Sequence, residues 1–255
     1  MPKRKIIEVM DKKIELFGLE VSALNRLDTA KKILDFALMG KHKFVTYLNA
    51  HCINISFVDQ EYKEIIKNVD LLYTGGLGVI WASRILGNSL PERVNIFDFF
   101  DYLVNELRSK EITFYLLGNK PEIIKNAEGV LRKKGLKVLG SRNGFFNKDE
   151  EVEIIKEINS LEPDILMVGM GVPEQEKWIQ EHISELNINL CWAVGAAFEW
   201  ISGYRKRPPA WMIRLGLAWL HRLCQQPKRL WKRYLIGNMI FIYRVLKWRI
   251  KHGKA

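Results

Sequence analysis

Between Lys43 and Val194 the sequence alternates short apolar runs, rich in β-forming residues, with longer amphipathic stretches of helical length. This alternation indicates parallel strands joined by helices, because a chain that pairs its strands in parallel must cross back over the sheet. The predicted strands are Phe44 to Leu48, Leu71 to Tyr73, Thr113 to Leu117, Lys137 to Leu139, Ile165 to Val168 and Cys191 to Val194. The predicted helices are Ile53 to Val69, Gly78 to Leu86, Ile96 to Arg108, Pro121 to Lys134, Lys148 to Ser160 and Pro173 to Leu186. The expected fold is therefore α/β, with a Rossmann-like, mostly parallel sheet covered by helices on both faces.

The N-terminal part is predicted to add an edge strand or hairpin at Ile14 to Val21 and a helix at about Asp28 to Met39. The first residues are basic but are followed by charged residues instead of an apolar segment, so we expect no secretory signal and a cytoplasmic body. The cysteines are three in number, far apart and not at metal-ligand spacing, which predicts buried free thiols at Cys52, Cys191 and Cys224.

Charge is unevenly distributed along the chain. The last 52 residues, from Tyr204, carry 14 Lys and Arg, four Trp and no Asp or Glu. The 203 residues before them hold 26 Lys and Arg against all 29 Asp and Glu, so the formal net charge of +11 arises in the C-terminal segment. Such a field attracts nucleic acid, anionic lipid headgroups or a diphosphate-bearing substrate. We therefore predict two parts, an α/β body at residues 1–203 and a basic helical appendage at residues 204–255.

The appendage is predicted to contain two helices. Pro208-Pro209 suits a helix start, Trp211 to Cys224 is amphipathic, and a second helix after Pro227 covers Arg229 to Lys251. Its apolar run, Tyr234 to Tyr243, is about half of the roughly 20 residues needed to cross a bilayer, so we expect no membrane span. A helix lying among lipid headgroups fits this pattern, and a helix docked on the body or on another subunit is the alternative. The predicted membrane-contacting residues are Trp231, Arg233, Arg244, Lys247, Trp248, Arg249 and Lys251.

Three predicted strand ends carry glycine, and in an open parallel sheet ligands bind where strands end and helices begin. The first, Gly75-Gly76-Leu77-Gly78, and the second, Gly118-Asn119, suit contact with a phosphate or ribose, or a plain tight turn. The third starts at Gly169 and enters a helix at Pro173. In that helix Gln175 and Trp178 suit a uracil edge and a stacked ring, or ordinary core packing.

The sequence predicts no metal site. It contains no Asp-x-Asp pair, and its histidines and cysteines are scattered. A diphosphate bound at the glycine-rich strand ends would therefore be neutralised by Arg, Lys and helix N-termini.

A series of motifs runs in order along nearly the whole chain. They are Asn49-Ala50-His51, Gly76-x-Gly78 with Trp81-Ala82-Ser83, Pro91-Glu92-Arg93-Val94 with Asp98, Tyr115-Leu116-Leu117-Gly118, Gly144-Phe145-Phe146, Gly171-x-Pro173-x-Gln175-Glu176-Lys177-Trp178, Gly195 with Phe198, and Gly216-Leu217-x-Trp219-Leu220-x-Arg222-Leu223 with Pro227 and Arg229. In these motifs, and in their order and spacing, the chain resembles the WecG/TagA/CpsF glycosyltransferases, glycosyltransferase family 26.

The resemblance implies an inverting, metal-independent transfer of a sugar from a UDP-sugar to a polyprenyl-diphosphate-linked acceptor at the cytoplasmic face of the membrane, without a cofactor. In the best-known members the donor is UDP-N-acetylmannosamine or its uronic acid, the acceptor is undecaprenyl-diphosphate-linked N-acetylglucosamine, and the product feeds a cell-surface polysaccharide. The expected partners are these two substrates, an anionic membrane surface and a possible further copy of the chain. The predicted donor-binding residues are Gly76, Gly78, Arg93, Asp98, Gly118, Gly169, Gly171, Gln175, Lys177 and Trp178.

The resemblance also implies that the appendage closes over the active site and contributes arginines. Those positions fall on Arg222 and Arg229, with Lys232 where the family often has Arg; Lys keeps the charge but lacks the bidentate fork. Asn49 joins them in the predicted catalytic set.

The chain departs from the family at Gly75, where an Asp is the proposed general base, and at Tyr47, where Thr is frequent. Three explanations follow: His51 or another group is the base, the substitution inactivates the enzyme, or the chain is a non-catalytic UDP-sugar-binding relative. His51 suits a base because a neutral imidazole accepts a proton at neutral pH, but it also suits a hydrogen-bonding role at a helix start.

A nucleic-acid-binding protein is the competing class of function, because phosphates attract the same cations. The sequence shows no helix-turn-helix, zinc-finger or RNA-binding motif, and an apolar run inside the basic segment is costly to expose to water. We therefore expect no nucleic acid partner.

Overall fold

The structure, a computed structural model, describes residues 11–39 and 41–253. A hairpin of β1 (Lys13–Leu16) and β2 (Leu19–Ser22) and helix α1 (Arg26–Met39) come first. The body continues with β3 (Lys43–Leu48), α2 (Ala50–Ser56), α3 (Gln60–Lys67), β4 (Leu71–Thr74), α4 (Leu77–Ile85), α5 (Ile96–Ser109), β5 (Thr113–Gly118), α6 (Pro121–Lys133), β6 (Lys137–Arg142), α7 (Lys148–Leu161), β7 (Ile165–Gly169), α8 (Glu174–His182), β8 (Leu190–Ala193) and α9 (Ala197–Ile201).

The main sheet has six parallel strands in the spatial order β4-β3-β8-β7-β5-β6. From β3 the chain moves outward to β4 and then crosses to build the other half of the sheet, ending with β8 beside β3. The direction of winding therefore reverses between β3 and β8, and the carboxyl ends of these strands are where open α/β sheets bind ligands.

Both faces of the sheet are buried. Along β7, Leu166 and Val168 belong to one apolar cluster, and Ile165 and Met167 belong to the cluster on the opposite face. Such near-continuous apolar strands are characteristic of parallel sheets covered on both sides. The predicted α/β fold, with a mostly parallel sheet and helices on both faces, is confirmed.

One helix prediction in the body and one cysteine prediction in the appendage were wrong. The predicted helix Ile53 to Val69 is two helices, because the Asp59 side chain accepts the backbone N–H of Tyr62 at 2.9 Å and starts α3 as a separate helix. Of the two alternatives predicted for Ile14 to Val21, the hairpin is observed, and it does not extend the main sheet. Cys224 is exposed, because it lies on the outer side of an appendage helix.

The appendage consists of α10 (Ala210–Arg214), α11 (Ala218–Gln225), α12 (Pro227–Trp231), a π-helical turn (Lys232–Ile236) and α13 (Gly237–His252). The predicted helix Trp211 to Cys224 is interrupted at Gly216, whose φ of +75° favours glycine. The second predicted helix is continuous but contains the π turn. A π turn takes up an extra residue, so it changes which side chains share a face.

One side of α13 is docked on the body. Phe241 and Val245 are buried in the same apolar cluster as the sheet, and the Trp248 ring packs edge-on against Phe17 with 5.4 Å between centroids. The Arg244 guanidinium donates to the backbone oxygen and the Oδ1 atom of Asn54, both at 2.8 Å. Arg244 and Trp248, predicted to contact lipid, therefore hold the helix against the protein.

The opposite side of α13 is exposed and includes large apolar side chains at Met239, Ile240, Tyr243 and Ile250. No helix within the described ranges, 11–39 and 41–253, has both the length and the apolar content needed to cross a membrane. The boundary at residue 203 stays a prediction; Phe241 and Val245 show that the appendage shares the core of the body.

Candidate active site

A cleft at the carboxyl ends of the central strands contains two adjoining cavities. The polar cavity, about 450 Å³, is lined by the loops after β3, β4, β7 and β8 and by appendage arginines. The apolar cavity, about 780 Å³, lies between α4, α11 and α13. Residues that line both include Asn49, His51, Gly75, Trp200, Arg222 and Arg233.

Asn49 fixes the turn that leads from β3 into the cleft. As the N-cap of α2, it accepts the backbone N–H groups of His51 at 2.8 Å and Cys52 at 3.1 Å with its side-chain oxygen. The cap holds His51 in the first helical turn, at the junction of the two cavities. Asn49 thus positions a candidate base and lines the cleft itself.

His51 is partly buried beside two cations. Burial, followed by the charges of Arg233 and Arg222, lowers the pKa of His51 to about 4. The imidazole is therefore neutral at pH 7. A neutral imidazole has one ring nitrogen that can accept a proton.

Tyr47 occupies the space beside Gly75. A β-carbon on Gly75 would lie 3.0 Å from Cδ2 and 3.3 Å from Cβ of Tyr47. Gly75 does not have a positive φ, so its backbone conformation is open to other residues. The two departures from the family pattern are therefore in contact, and the larger Tyr47 ring accompanies the missing carboxylate.

Four of the predicted donor-binding glycines lie in the cleft. Gly76 and Gly78, at the start of α4, line the apolar cavity, whereas Gly169 and Gly171 line the polar cavity. Gly118 lies outside both linings. The absence of a side chain at Gly118 allows β5 and β7 to approach each other there, because a β-carbon would be 2.6 Å from the carbonyl carbon of Gly169.

Gln175 is fully buried behind the polar cavity. Its side-chain oxygen accepts the backbone N–H groups of Gly195 at 3.0 Å and Gly171 at 3.4 Å. It therefore joins the loops after β7 and β8, and it acts on the shape of the cavity without lining it.

Lys177 and Trp178 lie outside both cavity linings and have partners elsewhere. The ammonium of Lys177 pairs with Asp59, at 2.9 Å, and with Glu61. The indole N–H of Trp178 donates to Glu151 at 2.6 Å. The helical spacing turns both side chains of α8 away from the cleft, so the structure does not support their predicted contact with the donor.

Asp98 joins the body to the appendage at the polar end of the apolar cavity. It accepts hydrogen bonds from Arg93 and, at 2.8 Å, from Arg207. Arg93 and Asp98, both predicted to bind the donor, therefore line the cleft. Their side chains form an ion pair with each other.

Four arginines of the appendage line the polar cavity: Arg205, Arg222, Arg229 and Arg233. Buried Arg205 pairs with Glu199, with 2.7 Å between Nε and Oε2, and Arg229 lies 3.8 Å from the same carboxylate. The Nε atoms of Arg222 and Arg233 are buried, and no residue in the described part of the chain accepts a hydrogen bond from them. Buried donors without an acceptor suit an anionic ligand.

Lys232 is exposed and lies outside both linings, with its ammonium 5.6 Å from the centre of the Trp231 ring. Arg233, predicted to contact the membrane, occupies the cleft in its place. Arg233 lies four residues after Arg229, about one helical turn, which places both side chains on the cleft side of the helix. Of the cleft arginines, sequence reasoning missed Arg205 entirely; its only signal was its place in the acid-free tail.

Among the residues that the structure describes, no three His, Cys, Asp or Glu side chains are grouped so that they could hold a metal ion. Glu174, in the first turn of α8, and Glu199 are the acidic side chains that line the polar cavity.

Comparison with known proteins identifies the family. A model of the glycosyl transferase WecG/TagA/CpsF family matches residues 14–255. The chain belongs to this family. The sequence-based recognition is therefore confirmed, and so is the assignment of the chain as a glycosyltransferase.

Two relatives of the chain carry the same name, N-acetylglucosaminyldiphosphoundecaprenol N-acetyl-beta-D-mannosaminyltransferase. The protein of Bacillus subtilis (strain 168) is 30% identical over 210 residues, which cover 75% of this chain and 81% of the relative. The protein of Staphylococcus aureus (strain MW2) is 26% identical over 250 residues, which cover 95% of this chain and 96% of the relative. The similarity thus includes both the body and the appendage.

Proposed function

We propose that this chain transfers an N-acetylmannosamine-type sugar from a UDP-sugar to N-acetylglucosamine linked to a polyprenyl diphosphate, in the synthesis of a bacterial cell-surface polysaccharide. The observation that carries this proposal is the joined pair of cavities with Arg222 and Arg233 at their junction. A nucleotide sugar and a lipid-linked acceptor need polar and apolar surroundings that meet at one point. The names of the relatives supply the sugar and the lipid.

The donor occupies the polar cavity in this proposal. Backbone N–H groups at the ends of parallel strands are suited to phosphates, and Gly171 lets the donor approach the backbone closely. Arg229, which lines the polar cavity and not the apolar one, stabilises together with these N–H groups the charge that develops on the departing UDP, so the proposed transfer uses no metal ion.

His51 is the proposed proton acceptor for the acceptor hydroxyl. In the free enzyme burial, followed by the charges of Arg233 and Arg222, lowers its pKa to about 4, which makes it a weak base. An acceptor diphosphate bound to Arg222 and Arg233 offsets their charges and raises the pKa of His51, since it removes the part of the depression that these two cations cause. The base is thereby strengthened when the acceptor is bound.

The Tyr47 hydroxyl is a poor alternative base. Burial raises its pKa well above the ordinary value of 10, so the phenol stays protonated at neutral pH. Glu174 is a better residue to compare with His51 as a candidate base, because its carboxylate also lines the polar cavity.

The deciding experiment measures UDP release from UDP-N-acetylmannosamine in the presence of polyprenyl-diphosphate-linked N-acetylglucosamine. We expect wild-type turnover and a loss of about 10²- to 10⁴-fold in kcat for His51→Ala, the usual effect of removing a general base. Glu174→Gln is the matched variant and is expected to lose far less.

Calorimetry with UDP provides the control, because His51→Ala is expected to bind UDP as the wild type does. UDP binding without turnover in the wild type would contradict the transferase proposal and favour a silent UDP-sugar-binding relative. Equal losses in His51→Ala and Glu174→Gln would contradict the assignment of the base.

We further propose a peripheral position at the cytoplasmic face of the membrane. It is supported by the exposed apolar side of α13 together with Lys247, Arg249 and Lys251, which are exposed near its end. Self-association stays a prediction from the sequence.

A further inference from the structure

The apolar cavity is larger than the polar one and is unsuited to a nucleotide. Its walls are formed chiefly by α4, with Leu77, Trp81 and Ile85, and by α13, with Phe241, Ile242 and Leu246. A nucleotide would leave its polar atoms without partners there, which is costly. The cavity therefore calls for an apolar ligand.

The outer part of this cavity is open to the solvent. Trp81, Ile85, Ile242 and Leu246 line it, and each side chain is about half exposed, between 47% and 52%. Contiguous exposed apolar surface of this kind marks a site of interaction, because contact with water is unfavourable. A peptide is a poor occupant, since its backbone N–H and C=O groups would find few partners on these walls.

The inner end of the cavity is charged. There it meets the polar cavity at His51, Arg222 and Arg233, and the buried Nε atoms of both arginines have no acceptor among the described residues. A ligand that fits both ends has an anionic group at the junction and an apolar chain that runs outward between α4 and α13.

We propose that the apolar cavity binds the first isoprene units of the lipid-linked acceptor, with its diphosphate on Arg222 and Arg233. This inference rests on the proposed function, and it adds a binding site for the lipid chain itself. An ordinary phospholipid also has an anionic head and apolar chains. The diphosphate matches two arginines, and the cavity opens directly on the proposed base, so the acceptor is the better match.

The chain in this cavity orients the acceptor. With the diphosphate fixed at the junction and the isoprene units held between two helices, the sugar at the other end of the diphosphate is directed toward the polar cavity. Binding energy from a part of the substrate that does not react then serves to position the reacting hydroxyl.

Calorimetry without membranes or detergent tests the site. The ligands are inorganic diphosphate, geranyl diphosphate and farnesyl diphosphate, which share the charged group and differ in chain length. We expect the affinity to rise in that order, with farnesyl diphosphate at least about tenfold tighter than inorganic diphosphate, because each buried methylene contributes a factor of roughly four. Equal affinity for all three ligands would overturn the proposal.

The variant Ile242→Ser/Leu246→Ser makes the wall polar at two half-exposed positions that lie outside the buried core. It is expected to bind inorganic diphosphate normally and to lose the dependence on chain length. Ile250→Ser is the matched control on the same helix, 85% exposed and outside the cavity lining, and it should keep that dependence. An equal loss in the control variant would also overturn the proposal.

The transfer assay separates this inference from the proposed function. Binding that depends on chain length, without any UDP release, would support the lipid site and contradict the transferase proposal. UDP release with the same KM for a prenyl-linked acceptor and for a chain-free N-acetylglucosamine diphosphate would support the transferase and contradict the lipid site.

Discussion

At the scale of single residues, the contact between Tyr47 and Gly75 determines whether a carboxylate can be restored. Gly75→Asp alone puts a β-carbon 3.0 Å from the Tyr47 ring, so we expect a loss of about 1–3 kcal/mol in the free energy of unfolding and no gain in UDP release. Tyr47→Thr/Gly75→Asp removes the ring and should recover part of that stability. The measurements are urea unfolding and UDP release on both single variants and the double variant.

A double-mutant cycle measures the coupling free energy between Tyr47→Thr and Gly75→Asp. Residues in contact usually couple by about 0.5–3 kcal/mol, whereas independent sites add to within roughly 0.3–0.5 kcal/mol. Additive effects of Tyr47→Thr and Gly75→Asp would show that the ring does not exclude a side chain at residue 75.

Glu176 is a second residue whose environment has a measurable consequence. Its carboxyl is buried and accepts hydrogen bonds from Thr46 at 2.8 Å and Gln175 at 2.7 Å, and burial raises its pKa to about 7. The folded protein therefore holds this proton more tightly than the unfolded chain does. Between about pH 4.5 and pH 7 this group makes the free energy of unfolding fall as the pH rises.

The variant Glu176→Gln removes this titration and isolates its effect. We expect the difference in free energy of unfolding, wild type minus variant, to fall by roughly 2–3 kcal/mol between pH 5 and pH 8, since one pKa unit corresponds to about 1.4 kcal/mol. Glu153→Gln, on the exposed surface of α7, controls for the loss of one negative charge. A difference that does not change with pH would show that Glu176 is ionised throughout.

At the scale of helices and strands, local sequence patterns were sufficient for the body and insufficient for the cleft. The six strands of the sheet were predicted because each is an apolar run bounded by turn residues, and such runs are determined locally. Gly118 and Gln175 were predicted to bind the donor, and the sequence did not reveal the partners that they have in the structure, Gly169 and Gly195, because these are distant in sequence. Contacts between distant segments leave no periodic pattern in one sequence.

The appendage shows the same limit in one element. The family resemblance placed Lys232 in the cleft and the sequence pattern placed Arg233 at the membrane, whereas the structure has Arg233 in the cleft and Lys232 exposed outside it. The two residues are adjacent and both basic, so the local composition does not show which of them faces the body. Arg229 and Arg233 are four residues apart, so one helical turn brings both to the side that packs on the body.

Docking of α13 depends on Asn54 of α2. The Asn54 amide donates to the Gly237 carbonyl at 2.6 Å, and two further bonds come from Arg244. Asn54→Ala removes two of these three contacts and leaves Arg244 partly unsatisfied, so we expect α13 to detach more readily by about 1–3 kcal/mol. Limited trypsin digestion, at the Lys and Arg residues of α13, should show faster cleavage of the appendage by roughly tenfold or more, with a persistent body.

Asn68→Ala is the matched control for that digestion, because Asn68 is exposed at the end of α3 and its side-chain amide donates to the backbone oxygen of Glu64 in the same helix. Cleavage of Asn54→Ala at the wild-type rate would mean that the buried Phe241 and Val245 hold α13 without the polar clamp.

At the scale of the whole molecule, the uneven distribution of charge coincides with an uneven distribution of apolar surface. The acid-free appendage packs one side of α13 on the body and leaves the other side exposed, with apolar and basic side chains together. The two alternatives drawn from the sequence, docking and membrane contact, therefore concern different faces of one helix. Docking is observed, and the exposed face is what membrane contact would use.

Vesicle flotation tests that face. The triple variant Lys247→Glu/Arg249→Glu/Lys251→Glu reverses exposed charges on α13, and we expect most of its binding to anionic vesicles to be lost, because each basic residue near such a surface contributes about 1 kcal/mol. The matched control, Lys120→Glu/Lys133→Glu/Lys148→Glu, makes the same change in net charge on exposed residues of the body and should still float. Equal losses in both variants would mean that net charge, and not the face of α13, attracts the protein to the membrane.

A gel shift with DNA and RNA on the same proteins tests the competing function, nucleic-acid binding. A nucleic-acid-binding appendage would bind DNA and RNA in a salt-dependent way and would not require the exposed apolar side of the helix.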